Sequence, residues 1–308
     1  MVSVAARASA RAESPAVGYR PVAMSLFLSS IALVSALAAL QSTPPATESP
    51  VAPAAPAAPA ATAPADKPSP QDAMKARVEA FLDEIERTGS TISTMSGKVA
   101  IESNDLFKGT SEYRAGRLVV DGTGEKRRVS LLLEESIVDG YVSKSIDHYI
   151  FGDGWYCRLD HKNKSFTKRR IASDGKDPLN SIGGQVPIPI GQKKADVLAR
   201  FEVTEVQPPI DIPILGSMQN VAGLKLVPKP GTSMAEDTAS LELFYDRVTI
   251  APIGIVVHAK VANPKYARWT AARVTESIVN GEVKDADRAL LVVPEKAPEG
   301  WATVDETR

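Results

Sequence analysis

From Ser69 onward the apolar positions first repeat at helical spacing and then switch to strict alternation. Met74, Val78, Phe81, Leu82 and Ile85 share one face of a 3.6-residue period that closes at Gly89. Ser69 is a capping residue, Pro70 suits the first helical position, and Asp72 lies in the first turn, where negative charge is favoured. After Gly89 the period drops to two: Met95, Gly97, Val99 and Ile101 alternate with Ser96, Lys98, Ala100 and Glu102. The same half-buried strand pattern recurs at 117–121, 129–133 and 146–151. Strands at 155–159 and 165–171 flank a hairpin turn at 160–163. A second set follows at 201–206, 223–227, 241–245, 254–261, 268–279 and 289–293. One leading helix and many short strands on short turns predict an α+β fold built on a single large antiparallel sheet.

Two stretches break the rhythm. Residues 177–200 and 208–222 are apolar yet rich in Pro and Gly, which excludes interior strands. They are too apolar for ordinary solvated loops, so they are expected to cover the concave side of the sheet, with a short helix at 195–200.

Ahead of Ser69 the pattern is of another kind. Residues 26–40 form an uncharged apolar run preceded by Arg7, Arg11 and Arg20, with small residues at Ala36 and Ala38. This is the pattern of a secretory signal peptide over 1–41, with Met24 as an alternative start. The run is shorter than the roughly 20 residues that cross a bilayer as a helix. Anchoring by an uncleaved leader is the rival reading. Residues 42–69 are a Pro/Ala tract too poor in large apolar side chains to offset ordering entropy, hence an extended linker. The expected domain is 70–308. Export through the leader places it in the periplasm.

Composition narrows the chemistry. A net charge of −1 provides no overall field toward nucleic acid or an anionic membrane. Cys157 is the only cysteine, so no internal disulfide forms. Three histidines, His148, His161 and His258, show no metal-ligand spacing, and neither metal nor cofactor is expected. Ser165 and Lys168 satisfy Ser-x-x-Lys, but on a strand and without the partner motifs that chemistry needs. No nucleophile elbow, phosphate loop or dinucleotide fingerprint occurs, so no catalytic residue is assigned. Lys162, Lys164, Lys168, Arg169 and Arg170 form a local basic cluster, read as a solvated hairpin or as an attraction to anionic head groups. Trp155, Trp269 and Trp301 are read as core or rim packing.

The order of segments resembles the LolA/LolB family of bacterial lipoprotein carriers from about Met74 to the end. The resemblance runs through the leading helix and the strand Met95-Ser96-Gly97-Lys98-Val99. It continues through Gly116–Val120, Lys126-Arg127-Arg128-Val129, and Phe151-Gly152-Asp153-Gly154-Trp155-Tyr156. Phe201-Glu202-Val203-Thr204, Leu224–Lys229 and the closing Pro298-Glu299-Gly300-Trp301 complete it. The resemblance implies an incomplete barrel, an N-terminal helix, and a helical, Pro-rich lid on the concave side. Its apolar interior would shield the acyl chains of lipoproteins or a similar ligand. It also implies a monomer that works between membrane-bound donor and acceptor complexes. For such an interior the sheet-side candidates are Val99, Ile101, Leu131, Leu133, Tyr149, Phe151, Leu226, Leu241, Leu243 and Val257. The lid candidates are Ile182, Val186, Ile188, Ile190, Val197 and Leu198. Two alternatives stand beside the carrier. One is an envelope-stress sensor similar to the N-terminal domain of periplasmic anti-sigma regulators. The other is a structural envelope protein with a filled core.

Overall fold

The computed structural model describes residues 69–170, 190, 192–232 and 234–304. The expected leader, all of the linker but Ser69, and the lid candidates Ile182, Val186 and Ile188 lie outside these. The first element is α1 (Pro70–Gly89), in which the Ser69 side chain accepts a hydrogen bond from Asp72 N. Behind it, the Asn280 side chain accepts from Ser93 N at 2.8 Å and donates to Thr91 O at 3.1 Å. These bonds pin the turn into the first strand to the far end of the chain.

Strands β1 (Thr94–Asp105), β2 (Thr110–Asp121), β3 (Arg128–Val138), β4 (Tyr141–Gly152), β5 (Trp155–Asp160) and β6 (Ser165–Arg170) form a meander. Helix α2 (Lys194–Arg200) leads into β7 (Phe201–Val206), followed by β8 (Val221–Pro228), the one-turn α3 (Met234–Asp237), β9 (Thr238–Asp246), β10 (Pro252–Ala259) and β11 (Arg268–Val279). Helix α4 (Asp285–Leu290) and β12 (Ala302–Val304) end the described chain. All twelve strands join one sheet in the order β12-β6-β5-β4-β3-β2-β1-β11-β10-β9-β8-β7. The first meander meets the second where β1 pairs with β11, from Met95 opposite Val279 to Asp105 opposite Arg268.

The edges β12 and β7 do not pair with each other, so the barrel is incomplete. Register shifts at Ser96/Lys98, Ala115/Gly116, Leu133/Glu135 and Pro252/Gly254 bend the strands, as bulges do. At one of these bends a Cβ on Gly116 would lie 1.8 Å from Leu132 O, so only glycine permits the approach of β2 to β3.

Three expectations are corrected. Residues 289–293 are not a strand: α4 runs through Leu290, because Asp285 and Asp287 suit a helix start and Leu290 and Leu291 need only one buried face. The sheet is not wholly antiparallel, since β12 runs parallel to β6. The stretch 208–222 covers the face opposite α1, not the concave side. There Ile212, Leu215, Ile214 and Met218 pack on Phe244, Val256 and Ala271. The expected short helix at 195–200 is present as α2, one residue longer.

Candidate functional site

Residues directly opposite one another in a ladder point to the same face of the sheet. Val99 opposes Gly116, which opposes Leu133, while Leu131 opposes Tyr149 and Val129 opposes Phe151. In the other direction Ile101 opposes Ala272, Ala272 opposes Ile255, and Ile255 opposes Leu243. Val257 opposes Leu241, which opposes Leu226. All ten sheet-side candidates therefore share one face, the face on which α1 lies.

That inner face carries two clusters. Ile92, Met95, Leu118, Val120, Val129, Tyr156, Ile190 and Ala251 gather with Val99, Leu131, Leu133 and Phe151, and Ile101 and Tyr149 pack against them. The second cluster lies beneath α1 and α2. Val78, Leu82, Ile85 and Val197 meet Leu224, Leu226, Leu241, Leu243, Tyr245 and Ile255, with Leu198, Phe81 and Val257 at the margin. Phe81 meets the Tyr245 ring edge-on, with centroids 5.6 Å apart. Burial pushes the Tyr245 phenol well above its ordinary pKa, so it stays neutral. Of the lid candidates, Ile190 belongs to the first cluster, and Val197 and Leu198 to the second.

The open hollow expected between lid and sheet is not found under α2. The space there is a cavity of about 10 Å³ lined by Leu82, Ile85, Gln192, Val197, Leu224, Leu226, Leu243 and Tyr245. That is room for about one water molecule. Side chains of α1 and α2 fill the rest. Helix α2 is held to α1 by Lys194, whose Nζ lies 2.9 Å from Asp83 and 3.8 Å from Glu79, and by Lys194 N donating to Glu86 at 2.9 Å. Lys229 Nζ donates to Leu198 O at 2.7 Å.

Toward β5 the inner face turns polar. Arg114 pairs with Asp147, and Arg158 Nη2 lies 3.0 Å from Asp147 and 3.4 Å from Asp160 while its guanidinium sits 5.5 Å from the Tyr149 ring centroid. Glu112 lies 3.8 Å from Arg114 at the exposed end of this group, so two cations face three carboxylates. Sequence reading missed it, because its members are far apart in the chain and only register unites them.

The histidines, Cys157 and most of the basic cluster fall on the outer face or the rim. His148 Nε2 lies 2.8 Å from Ser130 Oγ, but Ser130 is fully buried and no substrate reaches it. Burial, aided by the charge of His161, lowers His148 to about 4. His258 and Lys225 both pair with Glu242, and His161 stacks edge-on against Trp301. Burial pushes the Cys157 thiol up to about 11, the opposite of an activated nucleophile. Ser165 and Lys168 point to opposite faces of β6, as residues three apart on a strand must. Lys168 and Arg170 each lie 4.7 Å from the Trp155 ring centroid, and Arg169 lies 4.7 Å from that of Tyr156. Most of the basic cluster is thereby committed to aromatic faces, leaving Lys162 and Lys164 exposed at the turn. Trp269 and Trp301 pack against outer-face clusters.

No protein-family model matches the chain, and no curated protein matches it in sequence. Among solved structures it is similar to a conserved protein from Thermus thermophilus, with 13% identity, TM-score 0.39, and coverage of 74% of this chain and 99% of that one. It is also similar to an outer membrane lipoprotein-sorting protein domain from Vibrio parahaemolyticus, with 10% identity, TM-score 0.30, and coverage of 70% and 99%. A further similarity is to a LolA superfamily protein from Nitrosomonas europaea, with 8% identity, TM-score 0.29, and coverage of 68% and 96%.

Proposed function

We propose that the protein is a non-catalytic periplasmic carrier that binds the acyl chain of a lipoprotein or similar ligand along the inner face of its sheet. The observation that carries this reading is the inner face between Phe151 on β4 and Leu226 on β8, lined by two apolar clusters that adjoin where Ile101 opposes Ala272. A packed interior is then the unloaded state, and α2 is the cover that moves.

Magnitudes favour such an exchange. Lifting α2 returns chiefly Val197 and Leu198 to water, at a cost of about 2–3 kcal/mol each. Its ion pairs with α1 add little, and its hydrogen bonds from Lys194 N to Glu86 and from Lys229 Nζ to Leu198 O add about 1 kcal/mol each. Each acyl methylene buried contributes about 0.8 kcal/mol, so a chain of about a dozen methylenes outweighs the cover. The polar group around Arg114, Asp147 and Arg158 lies at the end of this path and suits a ligand that finishes in a polar head. The leader pattern of residues 26–40 supports work outside the cytoplasm, between membrane-bound donor and acceptor complexes.

The test is a titration with a fluorescent fatty acid, using cysteines placed at Asp83 and Lys194 and joined by a short, reducible crosslinker. Saturable binding that is lost on crosslinking and restored on reduction is the expected result. No saturable binding in either state would make the protein a structural one with a filled core. Equal binding in both states would refute the α2 route.

A further inference from the structure

The strongest unexplained feature is one rim of the sheet. The β1–β2 tip at 106–109, the β3–β4 tip at 139–140 and the β10–β11 connection at 260–267 are neighbours there. Leu106 N donates to Ala267 O at 3.1 Å, and Phe107 meets the Tyr266 ring edge-on with centroids 5.2 Å apart. Asp139 N donates to Ser111 O at 3.1 Å, and Asp139 Oδ1 accepts from Ser111 N at 3.1 Å. These contacts join the three tips into a single row.

That row carries the exposed large apolar side chains. Tyr141 is 82% exposed, Val142 75%, Phe107 70%, Leu106 52% and Tyr266 47%. The first half of β4 stands free on its outer side, since β5 pairs only as far as Asp147. Exposed apolar side chains gathered into one contiguous row mark an interaction site, where singly scattered ones do not. Among the described residues the other apolar side chains more than half exposed, Ile210, Val248, Ile278 and Val292, stand elsewhere on the fold.

Charge decides what the partner is. The fourth turn on this side, 161–164, is set back along β4, where His161 N donates to Ile146 O. Across these four connections, the 229–237 connection bonded to Lys260 and the 298–302 segment bonded to Lys164, the charged residues are Lys108, Lys162, Lys164, Lys229, Lys260 and Lys265 against Asp139, Glu236, Asp237 and Glu299. Asp139 is occupied in its turn hydrogen bond, and the nearby Asp105 accepts from Phe107 N and Lys108 N and lies 3.9 Å from Lys108 Nζ. The apolar side chains of this row stand on narrow projecting turns, with lysines beside and behind them. They suit the boundary of a bilayer, where aromatic rings sit at head-group depth and lysines reach anionic phosphates. We propose that this rim docks the protein on an anionic lipid membrane, inserting the tips at Phe107 and Tyr141–Val142. The inference is independent of whether the inner face carries a ligand.

The test uses the full chain with an environment-sensitive dye on a cysteine introduced by Phe107→Cys, Val142→Cys or, as control, Ile210→Cys. The native Cys157 is buried and does not compete for dye. Vesicles are phosphatidylcholine alone or mixed with phosphatidylglycerol. The expected result is a blue shift at positions 107 and 142 with the mixed vesicles only, and none at 210. In the Val142→Cys background, combining Lys108→Glu, Lys162→Glu and Lys265→Glu should weaken the response by about 100-fold or more. Silent tips on vesicles that nevertheless capture the protein would overturn the proposal, because another segment such as 26–40 would then be the attachment. An equal response to neutral vesicles would also overturn it. So would a dye shift that grows with protein concentration without vesicles, which would identify a second copy as the partner.

Discussion

On the inner face, α1 and α2 meet the strands through Val78, Leu82, Ile85, Val197 and the aliphatic side chains below them. Their ion pairs run to each other or to the edge strand: Lys194 to Asp83, and Arg77 to Glu205 on β7. The outer face is also covered, but its straps are tied by side chains of the strands themselves. Arg273 Nη1 donates to Ile214 O at 2.9 Å and to Ser217 Oγ at 2.7 Å, and Arg117 pairs with Asp287 at 2.6 Å. Lys168 Nζ donates to Pro294 O at 2.8 Å. Apolar contact has no preferred register, whereas a hydrogen bond has one donor and one acceptor. Under the carrier proposal, lifting the inner cover exposes apolar area and breaks the bonds of Lys194 to Glu86 and of Lys229 to Leu198, whereas freeing an outer strap breaks bonds made by side chains of the strands themselves.

The contrast is broken most severely by a cavity on the outer face. Phe244→Ala, at a fully buried outer position, should lower unfolding free energy by about 3–5 kcal/mol in urea titrations and leave fatty-acid affinity unchanged. Loss of binding with retained stability would show that the faces are not independent.

Acid should loosen the outer face next. Burial holds His148 at about 4 in the folded state against 6.5 for the free side chain. The unfolded chain takes up its proton first as pH falls. The stabilising contribution is therefore complete above about pH 6.5 and disappears toward about pH 4, a change of about 2–3 kcal/mol. His148→Gln should flatten the dependence of the urea midpoint on pH between those limits.

Thinning the inner cover should act differently. Val197→Ala should cost only about 1–2 kcal/mol in stability, because α2 can settle toward the sheet, yet speed fatty-acid association in stopped-flow mixing. Slower association would mean that α2 recruits the ligand instead of obstructing it. The smallest effect is at the helix start: Ser69→Ala should cost about 1 kcal/mol in thermal unfolding and leave binding unaltered.

Much of the fold was legible in the chain. The period change at Gly89 marks the passage from α1 to β1, and alternation groups Val99 with Ile101 and Leu131 with Leu133, but which face of each strand points inward was settled only by the register between strands. Helix α2 was legible as well. Residues 289–293 were misread because a short apolar run fits either a strand or a buried helix end. The side covered by 208–222 was beyond sequence reasoning, since an apolar strap suits either face of a sheet. The tip residues Phe107, Tyr141 and Val142 gave only the faint signal of apolar side chains next to Gly109 and Gly140. Their row emerges once β2 stands between the two hairpins.

By itself, the sequence determined the element types, the alternation that separates two faces, and a charge balance without enzymatic motifs. These are local properties, carried by neighbours three, four or two residues apart. Tertiary structure alone decided which cover lies on which face, how completely α1 and α2 fill the interior, and which distant turns share a rim. Each of these depends on long-range register and on volumes contributed by several elements at once, and no local window contains them.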